Sequence, residues 1–257
     1  MRTRRAAAPI VAALAAMLLA GCTAQPDPDL PPPPEDVDLS AIDPDDTERN
    51  GLWYLSGDAA LREVIIAARD AGGVTMGGTI TEKILVDDDA PPIAGRVITI
   101  AMTGTEGSYT ASVSAGAITV QIVAVDGAAY VTGNPAYAAA TGVAELASGF
   151  VCVTPGDPLL REWTALLSPA DVLESLISSG AATASVTPPR DAEATTVDIV
   201  LDSGGSPVGV LTVSAVGPPL PLSFAAGDTS GDGSISFTGW GEAPAVEAPA
   251  TLARDCG

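Results

Sequence analysis

The sequence predicts an α+β fold with a largely antiparallel sheet, and three observations carry that prediction. Short segments rich in Val, Ile and Thr recur through most of the chain, separated by turns bearing Gly and Asp. Apolar residues at helical spacing occur in two regions only, near residues 58–71 and 157–180. Strand blocks therefore flank a helical middle, a pattern that suits hairpins with segregated helices better than alternating βαβ units.

The elements follow in order. A helix is predicted near Asp58–Ala71, capped by Ser56 or Asp58, with Leu61, Val64, Ile65 and Ala68 on one face and Gly72-Gly73 ending it. Strands are predicted at Thr79–Val86, Arg96–Met102, Tyr109–Ser114, Ile118–Val125 and Ala128–Val131. Asp126-Gly127 joins the last two as a two-residue hairpin turn, since both residue types tolerate positive φ. Asp157-Pro158 then provides an N-cap followed by proline at the first helical position, ahead of Leu159, Leu160, Trp163, Leu166 and Leu167. A second helix starts at Ser168-Pro169-Ala170-Asp171, which approximates a capping box, and buries Val172, Leu173, Leu176 and Ile177 before Gly180. Strands return at Ala182–Thr187, Thr195–Asp202, Val208–Val216, Pro221–Ala225 and Ser234–Trp240. The segment Ile118–Val125 has apolar residues on both faces, Ile118, Val120, Ile122 and Ala124 on one and Val123 and Val125 on the other. It reads either as a strand covered on both sides or as one whose second face lines an apolar space.

Composition excludes several functions. The 257 residues contain 32 Asp+Glu against 11 Lys+Arg, a net charge of −21, so no basic surface exists for nucleic acid. The absence of His removes Ser-His-Asp and Cys-His catalysis and His-ligated metals. No Gly-x-Ser-x-Gly is present, and Lys83 is the only lysine. The chain reads as a non-enzyme without a cofactor. Asp228–Ile235 begins like an EF-hand loop, but Gly239 stands where the bidentate acid belongs, so a strand-connecting turn is the expectation. Asp87-Asp88-Asp89 reads as a solvated loop.

Residues 1–21 form an export signal: Arg2, Arg4 and Arg5, then an apolar run from Ile10 to Ala20. The run is about half the ~20 residues a spanning helix needs. Leu19-Ala20-Gly21-Cys22 looks like a bacterial lipobox, which makes Cys22 the acylated first residue of the mature chain and anchors it to the membrane. Residues 22–49 follow as a tether, with nine acidic residues and one basic from Thr23 to Arg49, and with Pro31–Pro34 among its prolines. Like charges and proline extend such a chain, and its apolar content is too low for a core. Residues 50–257 then form one domain. In an oxidising exported compartment Cys152 and Cys256 are the remaining thiols, and a disulfide between them is the expectation against two separately buried thiols.

The ordered set of segments resembles the LppX/LprAFG family of actinobacterial lipoproteins, which belongs with LolA/LolB among lipid-carrying folds. The residues that carry the resemblance are the lipobox, the acidic tether, the helix Leu61–Ala68, Val125-Asp126-Gly127-Ala128-Ala129-Tyr130 and Asp157-Pro158-Leu159-Leu160. To these the C-terminal part adds Val210-Leu211-Thr212-Val213, Gly217-Pro218-Pro219-Leu220-Pro221-Leu222 and Ile235-Ser236-Phe237-Thr238-Gly239-Trp240-Gly241-Glu242. The resemblance implies a strongly curved antiparallel sheet, a half-barrel, with helices covering its concave face around an apolar cavity. It implies an acyl lipid or glycolipid as ligand, carried across the cell envelope, and no catalytic residues. It assigns no ligand contacts residue by residue. A membrane-tethered interaction or accessory module with a solid core is the alternative.

Overall fold

The computed structural model describes residues 48–84, 93–154, 156–178, 183–191, 193–203, 205–228 and 231–256. Cys22, the signal, the tether up to Thr47 and Asp87-Asp88-Asp89 lie outside the described residues, as do the side chains of Leu176, Ile177, Asp228 and Asp232. The described residues belong to one compact unit, Asp43–Gly257.

After a 3₁₀ turn at Leu52–Tyr54, helix α1 (Gly57–Asp70) starts where the Ser56 side chain accepts from the Ala59 amide at 3.4 Å. That bond satisfies one of the orphan donors of the first turn, and Leu61, Val64 and Ala68 are buried as their spacing requires. Five strands follow: β1 (Val74–Ile84), β2 (Ile93–Thr105), β3 (Ser108–Ala115), β4 (Ile118–Val125) and β5 (Ala128–Gly133). Between β4 and β5 the turn is the predicted one, with Asp126 at φ 54° and Gly127 at φ 76°, whose twist matches that of the flanking strands. The middle contains α2 (Pro135–Thr141), β6 (Phe150–Val153), α3 (Pro158–Arg161) and α4 (Pro169–Ser178). The last strands are β7 (Thr183–Thr187), β8 (Thr196–Ser203), β9 (Ser206–Ser214), β10 (Pro221–Asp228), β11 (Gly231–Thr238) and β12 (Leu252–Arg254).

Three of these elements are not foreseen from the sequence. Helix α2 carries the same start signal as α3: the Asn134 side chain accepts from the Tyr137 amide at 3.0 Å and Pro135 takes the first helical position. Strands β6 and β12 are too short to show a period. The predicted helix after Asp157 is a single turn of α3 followed by a 3₁₀ turn at Thr164–Leu166, but Leu159, Leu160, Trp163 and Leu167 are buried as expected. Asp228 pairs with Gly231 across β10 and β11, so the EF-hand-like stretch lies between two paired strands as expected, with Gly231–Ile235 already within β11.

The twelve strands form one sheet in the order β12-β6-β5-β4-β3-β2-β1-β11-β10-β9-β8-β7. All neighbours are antiparallel except β12, which runs parallel to β6. Laid flat, eleven steps of about 4.8 Å would make a sheet ~53 Å wide. The helices on its inner side nevertheless link one end to the other. The Tyr137 hydroxyl on α2 donates to the Leu159 carbonyl of α3 at 3.0 Å, α4 packs on α1, and α1 packs on β7. Helices spaced about 8–10 Å apart span only ~30 Å in that series. The sheet therefore curls around them, in the half-barrel expected, and one hydrophobic cluster runs from β6 to β8.

Curling also shows in Gly78 of β1. A β-carbon there would lie 2.0 Å from the Ser234 carbonyl oxygen of β11, so the two backbones approach too closely for any side chain.

Candidate functional site

Strand pairing assembles an inner surface that no single segment displays. In register across ten strands lie Val186, Ile199, Leu211, Phe224, Ile235, Gly78, Ile100, Val113, Val120 and Gly133. Every member of this row is apolar. The neighbouring inner row continues the pattern with Phe237, Met76, Met102, Ala111, Ile122 and Val131. No titratable side chain interrupts either row.

Burial along this surface is graded. At its centre Val113, Val120, Val131, Ile199 and Leu211 are 0% exposed, so no gap around them admits a water molecule. Toward the end of the sheet where the β1–β2, β3–β4, β8–β9 and β10–β11 hairpins turn, Ile80, Ile118, Ala184 and Ala226 are only partly buried. Apolar surface thus becomes accessible at that hairpin end. At the opposite end, a gap of about 40 Å³ between α1, the Gly104–Glu106 segment and Leu167–Ala170 holds little more than water.

The rim of the hairpin end is polar. Arg96 donates from Nε and Nη2 to the two carboxylate oxygens of Glu82 at 3.0 and 3.2 Å, just beyond the Ile80–Ile98 pair. The hydrogen bond from Arg96 holds the Glu82 carboxyl below its ordinary range, partly offset by burial. Farther out on the same hairpin, Ile84 and Ile93 pair with each other and are 43% and 53% exposed. Deep inside, burial raises the Tyr137 hydroxyl above its ordinary range, so it stays a neutral donor to Leu159. Among the described residues no group of three or more Cys, Asp or Glu side chains is placed to hold a metal ion.

Ile118–Val125 resolves into one face of each kind. Val120, Ile122 and Ala124 point inward and are buried, while Gln121 is exposed and Thr119, Val123 and Val125 are half-buried on the outside. The strand is not covered on both sides; its second apolar face is the outer surface of the sheet. Cys152 on β6 is joined to Cys256, with Cα atoms 5.0 Å apart, so the C-terminal segment is tied to the outer side of the β6 edge. The residues that build the inner surface fall below single-segment recognition. Their one sequence signal is the repeated placing of Gly or Ala among Val and Ile at alternate positions, as in Ala111–Val113–Ala115.

Fold and site together define an α+β domain with a single curled sheet whose apolar inner face is covered by helices. No protein-family model matches the chain, and no curated protein matches it. Among solved structures it is similar to LprF from Mycobacterium bovis, at 12% identity and TM-score 0.41, covering 76% of this chain and 97% of that one. It is also similar to the Mycobacterium tuberculosis lipoprotein LppX, at 12% identity and TM-score 0.40, covering 74% of this chain and 100% of that one.

Proposed function

We propose that the protein is a cell-envelope lipoprotein that takes the acyl chains of a lipid or glycolipid between the curled sheet and its helices and carries them across the envelope. The observation that carries this reading is the unbroken apolar inner row, uncharged over ten strands and accessible at one end. Acyl chains need a surface without charge or unpaired polar groups, and this one has neither. Residues 1–21 are removed with export, Cys22 bears the acyl anchor at the outer face of the membrane, and residues 22–49 tether the domain of residues 50–257. At ~0.8 kcal/mol per buried CH₂, two or more chains on Cys22 hold such a domain stably.

The dry packing at the centre of the inner face favours a second reading, an accessory module whose core is solid. The two part on one measurement. A chain beginning at Thr23, without its own anchor, is purified and examined by native mass spectrometry and lipid extraction. Bound acyl lipid near one per chain supports the carrier, in which the helices part from the sheet to admit cargo. Lipid-free protein, with no uptake of fluorescent fatty-acyl probes, leaves the solid module. The anchor is tested separately: a mature N-terminal peptide starting elsewhere than Cys22, or unmodified there, overturns it.

A further inference from the structure

The middle of the outer face, from β11 through β1 to β5, is free of charge in a domain that is otherwise strongly acidic, and charge returns only farther along the same row, at Asp198 of β8, which accepts from the Thr212 hydroxyl. Residues 50–257 hold 23 acidic and 7 basic side chains. Across the middle of the outer face one row in register reads Ser236, Gly77, Ala101, Ser112, Gln121 and Thr132. The next reads Thr238, Thr75, Thr103, Thr110, Val123 and Tyr130. No carboxylate, guanidinium or ammonium stands in either row, although water-facing strands usually carry them.

Where the two rows cross β2, β3 and β4 the surface dips into an open depression of about 340 Å³. That volume lies at the lower end of the ~300–1,000 Å³ of ligand sites. Ala101, Ser112 and Gln121 form one side of the depression, Thr103, Thr110 and Val123 the other, and Phe150 of β6 stands in its wall. The side chains of Ser112, Thr110 and Gln121 bond to no other protein group among the described residues. Each both donates and accepts, as a sugar hydroxyl does. Ala101, Val123 and the Phe150 ring supply apolar contact of the kind a pyranose C–H face seeks. A phosphate or sulfate finds no cation here, and an acyl chain finds hydroxyl rows in place of an enclosed apolar wall.

We propose that this depression is a binding site for a neutral polysaccharide, laid across β2 to β4 on the face opposite the helices. The site is separate from the inner surface, and it stands whether or not that surface takes lipid.

Affinity electrophoresis of the mature full-length chain in neutral detergent tests it, through native gels containing neutral galactan, arabinan or α-glucan, with polygalacturonate as the charged control. Retardation by at least one neutral polymer is expected, unchanged by added salt, with none by polygalacturonate. Gln121 is exposed, so Gln121→Glu should melt as the parent does and weaken the retardation about tenfold, equivalent to about 1.4 kcal/mol. Ser112→Asp, on the adjacent strand, should act the same way and stands in if the first variant melts early. Free migration in all three neutral gels overturns the proposal. So does retardation that both variants leave intact, or self-association in sedimentation that Gln121→Glu abolishes without any polysaccharide effect.

Discussion

The two faces of the same strands obey opposite rules. On β4, Val120 and Ile122 are 0% and 1% exposed while Gln121 between them is exposed. On β3, Ala111, Val113 and Ala115 are buried and Ser112 and Ser114 lie half-open outside. The inner face is apolar, with Phe224, Phe237, Met76 and Met102 among its aliphatics, and at Gly78 it leaves no room for a side chain beside β11. The outer face spreads its side chains apart, so it has room for β-branched Thr and small Ser and no need of a packed partner. Sheet propensity is satisfied on both faces, but stability comes from one. Substitutions on facing neighbours should therefore differ sharply although their backbone settings are alike.

The largest difference is expected from a charge. Val120→Asp places an unpaired carboxylate where no water reaches and should cost about 4 kcal/mol or more, enough to prevent folding of many domains. Gln121→Asp, one residue along, should stay within about 1 kcal/mol in a urea titration. Equal losses at both positions would mean that the outer face is covered too.

Next in size is the tie that holds the C-terminal segment to the outer side of the β6 edge. The Cys152–Cys256 bridge spans 104 residues, and in the chain-entropy model a loop near that length contributes up to ~4.7 kcal/mol, reduced by any native-state strain. Reduction, or Cys152→Ser with Cys256→Ser, should lower stability by about 2–4 kcal/mol and free the C-terminal segment to limited proteolysis. Two free thiols titrated in unreduced, unfolded protein would remove this contribution altogether.

A size change sharpens the comparison further. Ala124→Trp overfills the inner face and should cost about 1–3 kcal/mol if the interior is solid. With a lipid in place, the same substitution should displace cargo while the melting temperature stays near that of the lipid-free parent. Val123→Trp on the outer face should leave both stability and lipid content unchanged, so the pair reads out the interior by difference.

The smallest effect is expected at the rim. Glu82 is held ionised by the hydrogen bond from Arg96, so its folded-state pKa lies below the ordinary value of 4.5. A lowered carboxylate pKa stabilises the fold above the ordinary value, and that contribution disappears as pH falls through the folded value. Both side chains are more than one-third exposed, which limits the gain to ~0.5 kcal/mol. Melting curves of the parent and Glu82→Gln should differ slightly at pH 7 and coincide near pH 2.

Sequence alone was enough for whatever depends on neighbours along the chain. Ser56 before α1, Asp157-Pro158 before α3, Ser168 before α4 and Asp126-Gly127 between β4 and β5 act through bonds and dihedrals within a few residues, and each stands where it was expected. Asn134-Pro135 carried the same signal and α2 was legible in it. The alternation of Ile118–Val125 left open which face would be covered, since Val123 and Val125 are as apolar as Val120. Only pairing decided that, by bringing Val113 beside Val120 and Gln121 beside Ser112 in a sheet that curls toward one side. The place of β1 against β11, some 160 residues apart in the chain, is likewise absent from any local pattern. It follows from closing one apolar surface around four helices, a condition on the strands together that no single strand contains.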